Sequence, residues 1–187
     1  MPSASNDLAN CSDEQLAAEV ARESSDGPAF VALVERFRPR VWRICFRLLN
    51  NEQDAADAAQ EVFLRLFLHR ARFAGRSKYA TWVHAVAVKT CLTMRRGRGR
   101  RLRHENIAAE GWEAQQPAKA TAPEGASLDL LAMLDTLSEE DRALLLLKYA
   151  EAYEYEELAA IFEISVSACK MRISRAREKL QARFPDS

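Results

Sequence analysis

Residues 155–184 read YEELAAIFEISVSACKMRISRAREKLQARF, and this stretch contains two apolar patterns of helical period. In the second pattern, apolar side chains recur at i, i+4, i+7 and i+11, as Cys169, Ile173, Ala176 and Leu180. Ser165 directly precedes the helix that this pattern predicts and is a typical N-cap residue. The pattern predicts a helix over 155–162, a turn at 163–165 and a helix over 166–184, which is a helix-turn-helix. It also makes Cys169 a core residue.

The second of these helices is basic on the face that its apolar stripe leaves open. The residues that would meet DNA bases are Lys170, Met171, Ser174 and Arg175, with Arg172 at the margin. A recognition helix of this kind enters the major groove with its N-terminal residues near the base edges. The alternative is an ordinary amphipathic helix with a solvated basic face. Glu163 occupies a turn position where glycine is often preferred.

Charge is balanced overall, with 27 basic and 27 acidic residues, but it is unevenly distributed. Residues 1–61 carry a net charge of −5, residues 62–104 of +12, residues 105–165 of −11 and residues 166–184 of +5. The 62–104 block contains no acidic residue at all. Solvated surfaces normally mix both signs. Two basic blocks therefore indicate two contacts with a polyanion. The alternative is internal pairing of the acidic and basic blocks.

Aromatic residues are interleaved with cations in the 62–104 block. The candidate nucleic-acid contacts are Arg72, Arg76, Lys78, Tyr79, Trp82, Lys89, Arg95 and Arg96. Bases stack on aromatic rings while the nucleic-acid backbone follows positive charge, so this mixture suits a single strand. Further arginines, up to Arg103, could hold duplex phosphates. The alternative for Trp82 and for the neighbouring Phe73 is a place in the core.

The whole chain is predicted to be all-α, as two small helical domains joined by a flexible linker. The expected boundaries are a flexible N-terminus at 1–12, a first domain at 13–103, a linker at 104–127 and a second domain at 128–187. Within the first domain, Ser12 and Gln15 resemble a capping box.

Four further local predictions follow from single residues. Pro39 is expected to interrupt and kink its helix, and Asn50-Asn51 to form a turn. The helix from Tyr79 is expected to end near Arg96, before Gly97-Arg98-Gly99, and Ser138 to cap a helix of the second domain.

Several function classes find no support in the sequence. The four cysteines form no CxxC pair and the three histidines are scattered, so neither a metal site, a cofactor nor a catalytic centre is expected. No apolar run approaches the length of a membrane span. Residues 1–27 lack the features of a secretory signal. We therefore expect a cytoplasmic protein without membrane insertion that is not an enzyme.

Three stretches in order resemble a bacterial sigma factor of the extracytoplasmic-function group. Residues 54–64 (DAADAAQEVFL) resemble the helix that binds core polymerase, and residues 79–82 (YATW) the segment that meets and opens the −10 element. Residues 134–180 resemble region 4, which reads the −35 element. The resemblance covers about residues 13–103 and 128–184.

This resemblance implies the roles of particular residues. Core RNA polymerase would be bound by Asp57, Gln60, Glu61 and Leu64, and the −10 element by the candidate contacts of the 62–104 block. The −35 element would be read by Lys170, Met171, Arg172, Ser174 and Arg175. An anti-sigma factor or another inhibitor is an expected additional partner. The alternative function is a stand-alone helix-turn-helix regulator, which explains residues 128–184 but not the acid-free block. A nuclease would need clustered carboxylates or histidines, which that block lacks.

Overall fold

The structure is a computed structural model that describes residues 8, 10–23, 27–75, 77–108 and 128–184. Every regular element in those ranges is helical, as the sequence predicts. The N-terminal unit contains α1 (Asp13–Arg22), α2 (Pro28–Leu49), α3 (Glu52–Leu68) and α4 (Tyr79–Ala108), with a 3-10 turn at Arg70–Arg72. The C-terminal unit contains α5 (Leu128–Leu134), α6 (Glu139–Tyr149), α7 (Tyr155–Phe162) and α8 (Val166–Arg183).

Local signals in the sequence define the helix ends of the N-terminal unit. The predicted capping box is present at α1, where the Gln15 backbone N–H donates to Ser12 Oγ at 3.1 Å and the Ser12 N–H donates to Gln15 Oε1 at 2.7 Å. The predicted turn between α2 and α3 is also present. Asn50 adopts the left-handed conformation, and Asn51 Oδ1 accepts from the Asp54 N–H to cap α3.

The expected interruption at Pro39 is wrong, because α2 continues from Pro28 to Leu49. Pro39 lies on the exposed side of the helix. Phe37 and Val41, on either side of it in sequence, are both buried in the core. Their packing anchors the helix on both sides of Pro39, despite the backbone hydrogen bond that proline cannot donate.

The expected end of α4 near Arg96 is also wrong, because the helix continues to Ala108. A glycine inside a helix costs about 1 kcal/mol relative to alanine. That cost is offset here by ion pairs of three arginines along this part of the helix, Arg95, Arg96 and Arg98. The first residues of the predicted linker, 104–108, are therefore helical, whereas 109–127 lie outside the described residues.

The C-terminal unit contains the predicted helix-turn-helix. Ser138 and Ser165 cap α6 and α8 by accepting backbone N–H groups at 3.2 and 3.1 Å. Cys169 is fully buried, as predicted. Glu163 ends α7 in the left-handed conformation, with φ at 55°. The preference for glycine at this position therefore reflects a real conformational demand.

The two units pack against each other, for which the sequence offers only the alternative of internal pairing between charge blocks. Helix α4 of the N-terminal unit lies against α6 and α7, and α2 also contacts α6. Because α4 carries most of the acid-free stretch, this packing brings acidic residues of the C-terminal unit onto it.

Two leucines on α3 provide a test of which side of that helix faces the core. Leu66 is buried, whereas Leu64, two residues away, is 52% exposed. We expect Leu66→Ala to lower the free energy of unfolding by about 2–5 kcal/mol, because it leaves a cavity in the core. The matched variant Leu64→Ala should change it by about 0.5 kcal/mol or less. Urea denaturation of both variants measures the difference, and equal losses would contradict the orientation of α3.

Candidate functional site

The residues predicted to bind polymerase lie along one side of α3, which we call the α3 stripe: Asp57, Gln60, Glu61 and Leu64. Asp57, Gln60 and Leu64 are exposed, and Leu68 extends the same side at 61% exposure. Glu61 is half-buried and pairs with Arg65 at 2.6 Å. The opposite side of the helix is buried in the core. The stripe is thus a surface of mixed acidic and apolar character that a protein partner can cover.

The aromatic residues predicted to contact the −10 element form one cluster at the start of α4. Tyr79 is only 2% exposed, and its ring lies 4.9 Å from that of Phe73 and 5.4 Å from that of Trp82, centroid to centroid. Its backbone N–H donates to Glu14 Oε1, which lowers the pKa of that carboxyl. Burial raises the pKa of the Tyr79 hydroxyl. Trp82 is half-buried. These rings therefore contribute to the core of the unit as well as to its surface.

The cations predicted to contact the −10 element have two different environments. Arg72 and Lys78 are exposed beside the aromatic cluster, and Arg76 lies outside the described residues. The others, which we call the α4 cations, are Lys89, Arg95 and Arg96. Each α4 cation contacts a carboxylate of the C-terminal unit. The alternative of internal pairing between charge blocks therefore applies to these three residues in this structure.

The three contacts lie on one side of α4. Lys89 Nζ lies 2.6 Å from Glu163 Oε1, and Arg96 lies 2.7 Å from Glu140 Oε1. Arg95 pairs with Glu139 and also reaches Asp135. It donates a further hydrogen bond to the Leu48 carbonyl at 3.3 Å.

A second inter-unit contact, which we call the Glu151 cluster, centres on a buried carboxylate. The side chain of Glu151 is 3% exposed, and its oxygens lie 2.7 Å from Arg43, 3.2 Å from Arg47 and 3.9 Å from Arg40. All three arginines belong to α2, where they are spaced along one side. That basic row is visible in the sequence, but nothing in the sequence indicates that Glu151 is its partner.

Tyr153 and His84 complete the Glu151 cluster. The Tyr153 hydroxyl lies 2.9 Å from His84 Nδ1 and accepts from Arg40 Nε at 3.3 Å. Arg40 only donates, whereas the direction of the bond between Tyr153 and His84 depends on the tautomer of the imidazole. Ala152, between Glu151 and Tyr153, has a φ of 55°. This left-handed residue lets both neighbours reach the N-terminal unit.

Burial and the nearby Arg40 charge lower the pKa of His84 to about 4, while Asp13 opposes this shift. The imidazole is therefore neutral near pH 7. Burial also raises the pKa of Tyr153, so its hydroxyl keeps its proton. His84 and Tyr153 thus meet as two neutral groups between the units.

The residues predicted to read the −35 element divide into two groups. Lys170, Met171, Ser174 and Arg175 are exposed on α8. Arg172 is instead half-buried and pairs with Asp141 at 2.7 Å and with Glu140 at 3.0 Å. These carboxylates raise the pKa of Arg172 against the effect of its burial. The first group forms an open surface, whereas Arg172 links α8 to α6.

No cluster of three or more histidine, cysteine or acidic residues in the described ranges has the arrangement to hold a metal ion. None of the described helices is long and apolar enough to cross a membrane.

The sequence matches two family descriptions in succession. Residues 33–101 match Sigma-70 region 2, and residues 127–180 match Sigma-70, region 4. The ECF RNA polymerase sigma factor SigW of Bacillus subtilis is 31% identical over 88% of this chain and 93% of its own length. The ECF RNA polymerase sigma-E factor of Escherichia coli K12 is 30% identical over 89% of this chain and 94% of its own.

Two solved structures share the fold. CnrH in complex with the cytosolic domain of CnrY aligns with a TM-score of 0.62 and 24% identity, over 94% of this chain and 99% of that one. The sigma factor RpoE in complex with the anti-sigma factor NepR from Bartonella quintana aligns with a TM-score of 0.59 and 22% identity, over 84% and 98%.

The low pKa of His84 predicts a loss of stability in acid. The unfolded chain takes up a proton on His84 below its ordinary pKa of 6.5, whereas the folded chain does so only near 4. The contribution of His84 is therefore complete above pH 6.5 and is lost as the pH falls toward 4. Between pH 7 and pH 5, the free energy of unfolding should fall by about 2 kcal/mol more in the wild type than in His84→Gln.

Urea denaturation at the two pH values measures this difference. Asp13, Glu151, Arg40 and Tyr153 also face this site, but they are present in both proteins and cancel in the comparison. Equal pH dependence of the two proteins would contradict the neutral, buried state of His84.

Proposed function

Because the chain belongs to the extracytoplasmic-function group of the sigma-70 family, we propose that it binds core RNA polymerase through the α3 stripe and guides it to promoters. The protein is an alternative sigma factor, that is, a transcription initiation factor. The observation that carries the proposal is the order of its parts on one chain. A unit with an open acidic and apolar stripe and a basic, aromatic face precedes a helix-turn-helix with an open basic face.

The N-terminal unit is the part proposed to melt the −10 element. Single-stranded DNA needs cations along its backbone and rings for its bases. The N-terminal unit carries both near α4, as the α4 cations and the cluster around Tyr79 and Trp82. Arg72 and Lys78 extend this charge beyond the cluster. Extrusion of a base from the duplex costs a few kcal/mol, which stacking and pocket contacts offset.

The C-terminal unit is the part proposed to read the −35 element through Lys170, Met171, Ser174 and Arg175. We assign Arg172 a positioning role within this unit. It holds α8 against α6 through Glu140 and Asp141, and these bonds fix the direction in which the open face of α8 points.

Three further properties belong to this proposal. The chain needs no catalytic centre of its own, because polymerase supplies the chemistry of transcription. It works in the cytoplasm, where the promoter DNA is. It is also a target for an anti-sigma factor, since one of the structural neighbours is a complex with a protein of that kind.

Charge reversal on the α3 stripe tests polymerase binding. We expect Asp57→Arg/Glu61→Arg to weaken assembly with core polymerase at least tenfold, because both carboxylates would be replaced by cations in the contact. The control is Glu52→Arg, which reverses one charge on another side of α3, and each single variant of the stripe is compared with it. Size-exclusion co-elution with sigma-free core and a binding titration give the two affinities. Wild-type affinity of the double variant would contradict the assignment, and failure of the folded wild type to bind core would favour a stand-alone regulator.

Alanine variants on α8 test −35 recognition. Replacement of Lys170 or Arg175 should cost about 1–3 kcal/mol of binding and relax the base preference at one position. Arg183→Ala, at the far end of α8, should weaken binding equally for all sequences. Holoenzyme binding to a promoter library separates these effects. Unchanged base preference in the Lys170 and Arg175 variants would contradict their role as base contacts.

A further inference from the structure

Tyr155, the first residue of α7, lies against one of the lysines proposed to read the −35 element. The Lys170 ammonium is 5.4 Å from the centroid of the Tyr155 ring. From this contact we infer that Tyr155 is a positioning residue, which holds Lys170 in the direction of one −35 base pair. The inference rests on the proposed function, because it assumes that Lys170 contacts a base. It adds the group that determines where this contact is made.

The position of the Tyr155 ring is itself fixed by its surroundings. Glu154 and Glu157 form a capping box that defines the start of α7. The Tyr155 side chain is half-buried and packs against the hydrophobic core. The ring therefore has little freedom to move, and a side chain that contacts it is held relative to the helix-turn-helix as a whole.

The same ring contacts two lysines that differ in their other partners. Lys148 Nζ lies 4.5 Å from the Tyr155 centroid, donates to the Tyr153 carbonyl at 2.9 Å and lies 3.3 Å from Glu154 Oε2. Its side chain is only 17% exposed, so Lys148 belongs to the interior of the unit. Lys170 is exposed on α8. Of the two lysines, Lys170 is therefore the one placed to reach DNA.

An aromatic ring can hold a lysine without neutralising its charge. The ammonium is attracted by the quadrupole of the ring, which carries no net charge. A carboxylate would instead compete with DNA for the cation, and Arg172 is held in that way by Glu140 and Asp141. The lysine ammonium has three N–H donors. Over the ring, these donors stay available for the acceptor atoms of a base edge, such as O6 and N7 of guanine.

Placement of Lys170 before DNA arrives lowers the cost of the contact. A free lysine side chain has many rotamers and loses this freedom when it bonds to a base. Immobilisation of such a side chain at an interface lowers the affinity by roughly two- to tenfold. A lysine that already lies over a fixed ring loses less freedom on binding. Both the affinity and the base preference at its position should therefore depend on Tyr155.

The first experiment replaces Tyr155 and measures −35 recognition by the holoenzyme, with a library of duplex promoters randomised at the −35 positions as the probe. Tyr155→Leu should weaken binding by roughly two- to tenfold and relax the base preference at the position where Lys170→Ala also relaxes it. Tyr155→Phe keeps the ring and removes only the hydroxyl, so it should retain the wild-type preference. If Tyr155→Phe loses as much as Tyr155→Leu, the ring is not the positioning group and the inference is overturned.

A second tyrosine–cation contact of the same unit provides the matched control. Tyr149, at the end of α6, is 56% exposed, and its ring centroid lies 5.9 Å from the guanidinium carbon of Arg177. Arg177 is not among the proposed base contacts. Tyr149→Leu should therefore leave the base preference unchanged at every −35 position. Thermal unfolding followed by circular dichroism confirms that each variant is folded. Equal loss of preference in Tyr149→Leu and Tyr155→Leu would overturn the inference.

A double-variant cycle separates the positioning of Lys170 from a general role of Tyr155 in the fold of the unit. In a Lys170→Ala background, Tyr155→Leu should have no further effect on promoter affinity, because the side chain that the ring positions is absent. A further loss as large as that in the wild-type background would show a merely structural role and would overturn the inference.

The same variants separate the two ways in which the account can fail. If Lys170→Ala changes the base preference and the folded Tyr155→Leu variant does not, the positioning role is overturned and the proposed function stands. If Lys170→Ala leaves the base preference unchanged, the proposed −35 role of Lys170 fails, and the inference fails with it.

Discussion

The buried carboxylate of Glu151, placed among three arginines of α2, is the interaction on which the arrangement of the two units depends. A charge with so little access to water is tolerated only where several cations and hydrogen bonds compensate for its lost hydration. Arg40, Arg43 and Arg47 provide that compensation. With Glu151 fixed, Tyr153 reaches His84, and the acidic ends of α6 and α7 come to lie along α4.

This geometry gives three cations of the acid-free stretch a counter-charge within the same chain. Neighbouring cations repel one another, and a nearby counter-charge relieves that repulsion. In this structure, the acidic block that follows in the chain supplies that counter-charge. Glu163 adopts a left-handed backbone conformation that favours glycine, so a residue with a side chain weakens the turn there. That same side chain places its carboxylate 2.6 Å from Lys89.

The parts of the fold that local sequence determines were predictable. The capping box at Ser12, the turn at Asn50 and the caps at Ser138 and Ser165 depend on residues within three or four positions of each other, and all are confirmed. The end of α4 was wrong because glycine signals a helix end only when nothing distant offsets its cost. The partners of the α4 cations lie about 40 to 75 residues away in the sequence. The spacing of apolar residues along the chain does not indicate contacts between residues so far apart. The roles of the α3 stripe and of α8 remain predictions, to which the structure adds only that their key side chains are exposed.

The overall size of the free protein tests the packing of the two units most directly, because units that pack against each other form a single compact particle. Small-angle X-ray scattering of the full-length protein at low ionic strength gives its radius of gyration. A compact chain of this length should give a value near 16 Å. A value well above about 20 Å, with a distance distribution of two separated lobes, would contradict the account.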